Sequence, residues 1–168
     1  MQERDLYGGG PAVGAVGLGC WQLGGDWGDV SDETALGVLG AATAAGTTFL
    51  DTADVYGDGR SESTIGRFLA SGDAPSGLVV ATKMGRRAPL DPDEYTLENF
   101  RAWTDRSRSN LGIDTLDLVQ LHCPPTEVYY RPEVFEALRT LVAEGAIRRS
   151  GVRAERVGEA LIGPAPGG

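Results

Sequence analysis

The sequence predicts a parallel α/β fold of the (β/α) TIM-barrel type, incomplete, with about five of the eight βα units of a closed barrel. Three observations predict it. Short apolar runs alternate five times with amphipathic stretches, an order that requires a parallel sheet covered by helices. Polar residues gather where the apolar runs end, at the edge on which barrels build their sites. The chain stops at 168 residues, whereas a closed barrel takes about 250.

The elements follow in order. Val13 to Leu18 is a glycine-interrupted first strand. Ser31 is placed to cap a helix, with Asp32 and Glu33 in the first turn and Ala35, Val38, Leu39 and Ala42 at helical spacing before Gly46. Thr48 to Ala53 is the second strand, and Ser61 to Leu69 a short helix with Ile65, Phe68 and Leu69 on one side. Leu78 to Lys83 is the third strand. Thr96 caps a helix carrying Leu97, Phe100, Trp103, Ser107 and Leu111, closed by Gly112. Leu116 to His122 is the clearest strand. Pro132 opens the next helix, with Val134, Phe135, Leu138, Leu141 and Val142, and Gly145 follows its end. Ile147 to Val152 is the fifth strand, and Glu155 to Ile162 starts a fifth helix. Residues 1–162 therefore read as one partial barrel and 163–168 as a flexible Gly/Pro tail.

Two architectures fit this order, a doubly wound open sheet and a (β/α) barrel. A dinucleotide-binding Rossmann unit needs G-x-G-x-x-G between the first strand and its helix. Here Gly14, Gly17 and Gly19 run G-x-x-G-x-G, and the helix begins too late to meet a pyrophosphate. No G-K-[ST] exists, so the P-loop is excluded.

Composition bounds the function. Hydrophobic residues make up 41% and charged residues 23% of the chain, an ordinary globular balance. The net charge of −9 argues against nucleic acid and anionic membrane as partners. No run approaches the ~20 apolar residues of a membrane span, and Met1 to Tyr7 is too polar for a secretory signal. A cytoplasmic protein is the default reading. The two cysteines, Cys20 and Cys123, form no CxxC pair and no Cys/His cluster, so neither a disulfide framework nor a metal site is expected.

Strand parity sorts the side chains. Phe49 and Asp51 share one face, as do Val79, Ala81 and Lys83, and Leu118, Gln120 and His122. The opposite rows, Leu50 and Thr52, Leu78, Val80 and Thr82, and Val119 and Leu121, suit packing against helices. Asp51, Lys83 and His122 then converge with Tyr56 at one mouth. Singly, each has a bland explanation: a turn-forming Asp, a solvated Lys, a packed Tyr or His. Together they have a chemistry. A phenol ordinarily titrates near 10, and a nearby ammonium favours its ionised form. A carboxylate holds the ammonium in place, and a histidine orients a carbonyl. This set suits protonation of a carbonyl while hydride comes from a nicotinamide, since no side chain can deliver it.

The segments VGLGCWQLGG, FLDTADVYGDGRSESTIG, VVATKMG, LGIDTLDLVQLHCPP and GAIRRSGV resemble successive strand-end motifs of the aldo/keto reductase family, in that family's order, over roughly Val16 to Val152. The resemblance implies an eight-stranded barrel that binds NADP(H) without a Rossmann unit and reduces an aldehyde or ketone. It matches Asp51, Tyr56, Lys83 and His122 to the family's catalytic tetrad. Tyr56 would be general acid in reduction and base in oxidation. Lys83 would lower its pKa, Asp51 would pair with Lys83, and His122 would orient the carbonyl. Cys20, Trp21 and Asp51 match positions lining the cofactor. The family's G-V-S after the fifth strand is Gly151-Val152-Arg153 here, so the serine contact to the nicotinamide amide is not carried over. Arg86 and Arg87 read as a solvated loop. Cys20 and Cys123 would face each other across a full barrel, so no disulfide is expected between them.

The rival reading is a truncated, inactive fragment or a non-catalytic regulatory or interaction module. Five strands would leave open edges that favour self-association, and Phe49, Val79 and Leu118 would meet water.

Overall fold

The computed structural model describes residues 2–6, 9–25 and 28–162; the Gly/Pro tail lies outside the described residues. The chain begins with β1 (Glu3–Asp5) and β2 (Ala12–Gly14), paired antiparallel as a hairpin. Parallel βα units follow: β3 (Leu18–Gly19), α1 (Asp32–Ala44), β4 (Phe49–Asp51), α2 (Arg60–Ala70), β5 (Val79–Met84), α3 (Leu97–Leu111), β6 (Leu118–His122), α4 (Pro132–Ala143), β7 (Ser150–Arg153) and α5 (Val157–Ile162). The sheet order β3-β4-β5-β6-β7 follows the chain order, and every pairing is parallel. A sheet that grows in one direction without reversing has no topological switch point. It is therefore a barrel wall and not a doubly wound sheet.

Local chemistry explains the element ends. Ser31 accepts a hydrogen bond from the Thr34 N–H at the start of α1, and Thr96 does the same from Asn99 at the start of α3. Gly112 closes α3 in the left-handed conformation, where a Cβ is costly. Pro132 occupies the first turn of α4, where no intrahelical N–H is needed. Helices α1 to α4 each bury one stripe against the sheet: Ala35 and Leu39, then Ile65 and Phe68, then Phe100, Trp103 and Leu111, then Val134, Leu138 and Leu141. They meet Leu50, Val80, Val119 and Leu121 from the outward rows of the strands in one core. That is the parity read from sequence.

Three expectations are corrected. The first strand is not one run over 13–18. Val13 belongs to the hairpin, and only Leu18–Gly19 joins the barrel wall. The glycines split it: a Cβ on Gly17 would meet the Phe49 ring at 2.9 Å, so the chain passes close over β4. The polar N-terminus is the partner strand of that hairpin. Val38 is exposed, because the buried stripe of α1 runs through Ala35 and Leu39. Val79 and Leu118 do not meet water; each is only 5% exposed. Pro11, beyond β1, shares a cavity with Val79 at the N-terminal rim, and the Gly14 N–H binds Thr48 Oγ1 at 2.8 Å, tying the hairpin to the start of β4. Phe49 alone of the three is half-buried. Among the described residues, no helix is long and apolar enough to cross a membrane.

Candidate active site

Parallel strands place all their C-terminal ends on one side, so residues far apart in sequence meet there. Asp51 ends β4, Lys83 is the penultimate residue of β5, and His122 ends β6. Register brings β4 against β5 through Asp51 and Ala81, and β5 against β6 through Lys83 and Gln120. Lys83 is 2% exposed. Its ammonium donates to Asp51 Oδ1 at 2.5 Å and to the Thr52 carbonyl at 2.8 Å. A buried ammonium without such partners would be costly. Two of its three N–H groups are thus taken. On another side it faces the Tyr56 ring, 5.3 Å from the centroid.

Tyr56 opens the single turn Tyr56–Gly59 between β4 and α2. The turn is held by a backbone-to-backbone contact. Gly57 has φ +58, and a Cβ there would lie 2.1 Å from the Gly24 carbonyl oxygen. Asp58 is also left-handed at φ 54, and its carboxylate meets Arg87 at 2.7 Å and Arg106 at 3.0 Å. The Tyr56 ring lies between two aromatic neighbours. His122 stands edge-on at 5.9 Å and 85°, and Trp21 is tilted at 6.2 Å.

His122 is buried, with Nδ1 lacking a hydrogen-bond partner. Burial pushes its imidazolium pKa down to about 4, and the cations Lys83, Arg86 and Arg153 push the same way. It is therefore neutral at ordinary pH. Cys20 is fully buried, and its thiol is raised to about 12 by burial first and by the Asp51 carboxylate second. Both cysteines are free thiols. Trp21 and Asp51 form the open side of the cluster: the Trp21 residue and the Asp51 side chain are each 40% exposed. Asp51, Tyr56, Lys83, His122, Cys20 and Trp21 all lie at this one mouth.

The structure adds residues that sequence reasoning left without a role. Ser61 Oγ donates to the Cys20 carbonyl at 2.8 Å and lies 2.8 Å from Thr52 Oγ1. It joins the ends of β3 and β4 beneath the mouth. Glu62 is fully buried, accepting from Thr82 Oγ1 at 2.6 Å and from Asn110 at 2.9 Å. The S-E pair inside the Tyr56 motif was the available signal. Arg86 and Arg87 are not merely solvated. Arg86 Nε donates to the His122 carbonyl at 3.2 Å, and Arg87 donates to the Asp54 carbonyl at 3.3 Å. Arg153, at the position of the missing serine, donates to Cys123 Sγ at 2.8 Å.

A buried ammonium held by a carboxylate beside a tyrosine, with a neutral histidine at the ring's edge, can hold and move a proton at the phenol oxygen. Comparison with known proteins agrees with the motifs. The profile of the Aldo/keto reductase family matches residues 15–160. An NADP(+) aldo-keto reductase of Schizosaccharomyces pombe is 33% identical over 148 residues, covering 86% of this chain and 43% of that protein. A D-threo-aldose 1-dehydrogenase of Pseudomonas is 34% identical over 167 residues, covering 85% and 50%. Among solved structures, the holo form of an aldo-keto reductase from Bacillus halodurans superposes with a TM-score of 0.78 at 29% identity, covering 93% of this chain and 51% of that one. An aldo-keto reductase from Klebsiella pneumoniae in complex with NADPH superposes at 0.75 with 28% identity, covering 96% and 53%. The chain spans about half the length of these relatives. Motif order, sheet order and the profile match over residues 15–160 lead to one assignment: the chain belongs to the aldo/keto reductase family.

Proposed function

We propose that the chain carries the proton-transfer site of an NADP(H)-dependent reductase of aldehydes or ketones. The observation that carries this reading is the buried Lys83 ammonium, paired with Asp51 and facing the Tyr56 ring, with His122 edge-on to the same ring. Tyr56 gives its phenol proton to the carbonyl oxygen in reduction and takes it back in oxidation. Lys83, fixed by Asp51 and the Thr52 carbonyl, places a positive charge beside the ring that is left negative. His122, neutral through burial, offers one N–H to orient the carbonyl oxygen without adding a charge.

The open side fits the nicotinamide end of a dinucleotide. Asp51 gives one carboxylate oxygen to Lys83 and keeps Oδ2 for a ribose hydroxyl, and the half-exposed Trp21 indole offers a flat apolar wall. Cys20 holds the end of β3 in place through its backbone N–H to the Asp51 carbonyl, 2.8 Å. When bound, NADP(H) supplies the hydride. The relative named for NADP(+) and the neighbour solved with NADPH support this choice of cofactor.

The test is NADPH consumption with a simple aldehyde, by the chain and by the chain joined to the C-terminal half of a related reductase. Tyr56→Phe is expected to lower kcat by ~10²–10⁴-fold and to leave NADPH affinity unchanged. Full turnover by Tyr56→Phe would move the proton donor elsewhere.

A further inference from the structure

His122 sits among more positive charge than its own chemistry requires. Arg153 is the register partner of His122 across β6 and β7. It shares the inward row with Gly151, whose Cβ position lies 3.5 Å from the Gln120 side chain. The Arg153 side chain is exposed, and its guanidinium donates only to the neutral Cys123 thiol. Arg86 reaches the His122 backbone from the loop after β5. Its Nε is fixed on the His122 carbonyl, and its outer nitrogen faces solvent and Glu155 at 3.5 Å.

Among the described residues, none of the surrounding acids contacts Arg153. Asp51 is committed to Lys83 at 2.5 Å. Glu159 accepts from Thr126 Oγ1 and from the backbone N–H groups of Glu155 and Arg156. Glu155 meets Arg86 alone, at 3.5 Å, which leaves the Arg153 guanidinium without a carboxylate in contact. The chain as a whole carries −9, and most of its surface arginines meet an Asp or Glu, as Arg60, Arg101, Arg131 and Arg139 do. Arg153 has no such partner among the described residues.

The geometry points to Arg86 and Arg153 as the recognition element for a carboxylate on the substrate, so that the site takes carbonyl compounds bearing an anionic group. This rests on the proposed reductase site, because it places the reacting carbonyl at His122. A planar carboxylate matches the fork of a guanidinium, and one that bridges the two arginines replaces the long contact to Glu155.

The chain has a single histidine, which makes the imidazole a unique reporter that needs neither cofactor nor turnover. Nuclear magnetic resonance follows the His122 C–H signals during titration with 4-hydroxybutanoate and, separately, with 4-hydroxybutanamide. The carboxylate is expected to shift the signals saturably and the amide is not. Arg153→Met and Arg86→Met are each expected to weaken the carboxylate by about 10- to 100-fold, the usual range for losing a charge-assisted hydrogen bond. Arg153→Lys should recover part of the loss. Added salt should weaken the carboxylate alone. If Arg153→Met does not fold, Arg153→Gln and Arg86→Met carry the comparison. Equal shifts with the amide, or unchanged affinity in the arginine variants, would overturn the proposal. So would a shift abolished by Tyr56→Phe and untouched by the arginine variants, since the carboxylate would then sit on the phenol. Tyr56→Phe separates this proposal from the catalytic reading: it tests turnover, and the carboxylate titration should survive it.

Discussion

Asp54 is a carboxylic acid enclosed two residues before Tyr56, with no exposure and both side-chain oxygens without a hydrogen-bond partner. Burial first, and then the buried carboxylate of Glu62, raise its pKa to about 7 against the opposing pull of Arg87, the Val55 N–H and Arg106. The Val55 N–H is near enough to temper the shift without meeting hydrogen-bond geometry. In the unfolded chain this acid titrates at 3.8. The folded pKa is therefore the higher one, and the sign follows. Below about pH 4 both states hold the proton. As pH rises toward 7 only the unfolded state loses it, so stability falls. Above 7 both are ionised and the loss is complete. About three pH units at about 1.4 kcal/mol each give a loss on the order of 4 kcal/mol. Asp54→Asn keeps the shape and removes the titration. Urea unfolding followed by circular dichroism from pH 4.5 to pH 8.5 should find the variant on the order of 2–4 kcal/mol more stable than the wild type at the alkaline end, converging at the acid end. His122, depressed to about 4, works oppositely: its contribution is present above about pH 6.5 and is lost as pH falls toward 4. It is common to both proteins and cancels in the difference. A constant gap between variant and wild type, or a gap that widens toward acid, would refute the reasoning and mean that Asp54 is ionised in the fold.

Gly57→Ala puts a methyl 2.1 Å from the Gly24 carbonyl at a left-handed φ, so the turn must move. Thermal unfolding should report a loss of at least ~1–3 kcal/mol, with reductase turnover falling further than stability because Tyr56 is displaced. Ser61→Ala removes a donor to the Cys20 carbonyl and a neighbour of Thr52 Oγ1 inside the fold, which should cost ~1–3 kcal/mol by urea unfolding. Lys83→Met leaves Asp51 without its cation and is expected to abolish carbonyl reduction; full turnover at neutral pH would remove Lys83 from the proposed chemistry. The outer edges of β3 and β7 have no ladder partner among the described residues, so light scattering should detect concentration-dependent self-association of this chain.

What was legible in the sequence was what recurs locally. β5 and β6 alternate between two kinds of surface, and their outward rows Val80, Val119 and Leu121 carry a signal that needs no partner to be read. Ser31, Thr96 and Gly112 act within one helical turn, so their caps follow from neighbours in sequence. The titratable residues of the mouth were legible because a parallel sheet converts "end of strand" into "same place". The hairpin was not legible. Its pairing of Glu3 with Gly14 joins a charged segment to a glycine-broken one, and neither has a strand period. The burial of Val79 was not legible either, because the cavity it lines is shared with residues outside its own unit, Pro11 and Ile147 among them.

The supports of the site were the least legible part, and the reason is physical. Ser61 acts on a carbonyl 41 residues earlier, Asn110 on a carboxylate 48 residues earlier, and Arg86 on a carbonyl 36 residues later. Such bonds depend on the strand ends already being adjacent, so no local pattern announces them. They also decide how well the site can work. A proton donor misplaced by 1 Å loses much of its advantage, and Tyr56 sits on a turn in which Gly57, Asp58 and Gly59 are all left-handed. That turn keeps its shape through the Gly24 contact on one side and the Asp58–Arg87–Arg106 contacts on the other. Exposed ion pairs alone hold weakly, and Asp58 is 78% exposed. The glycine contact is therefore the stronger constraint, and the arginines trim a position that backbone packing has already set.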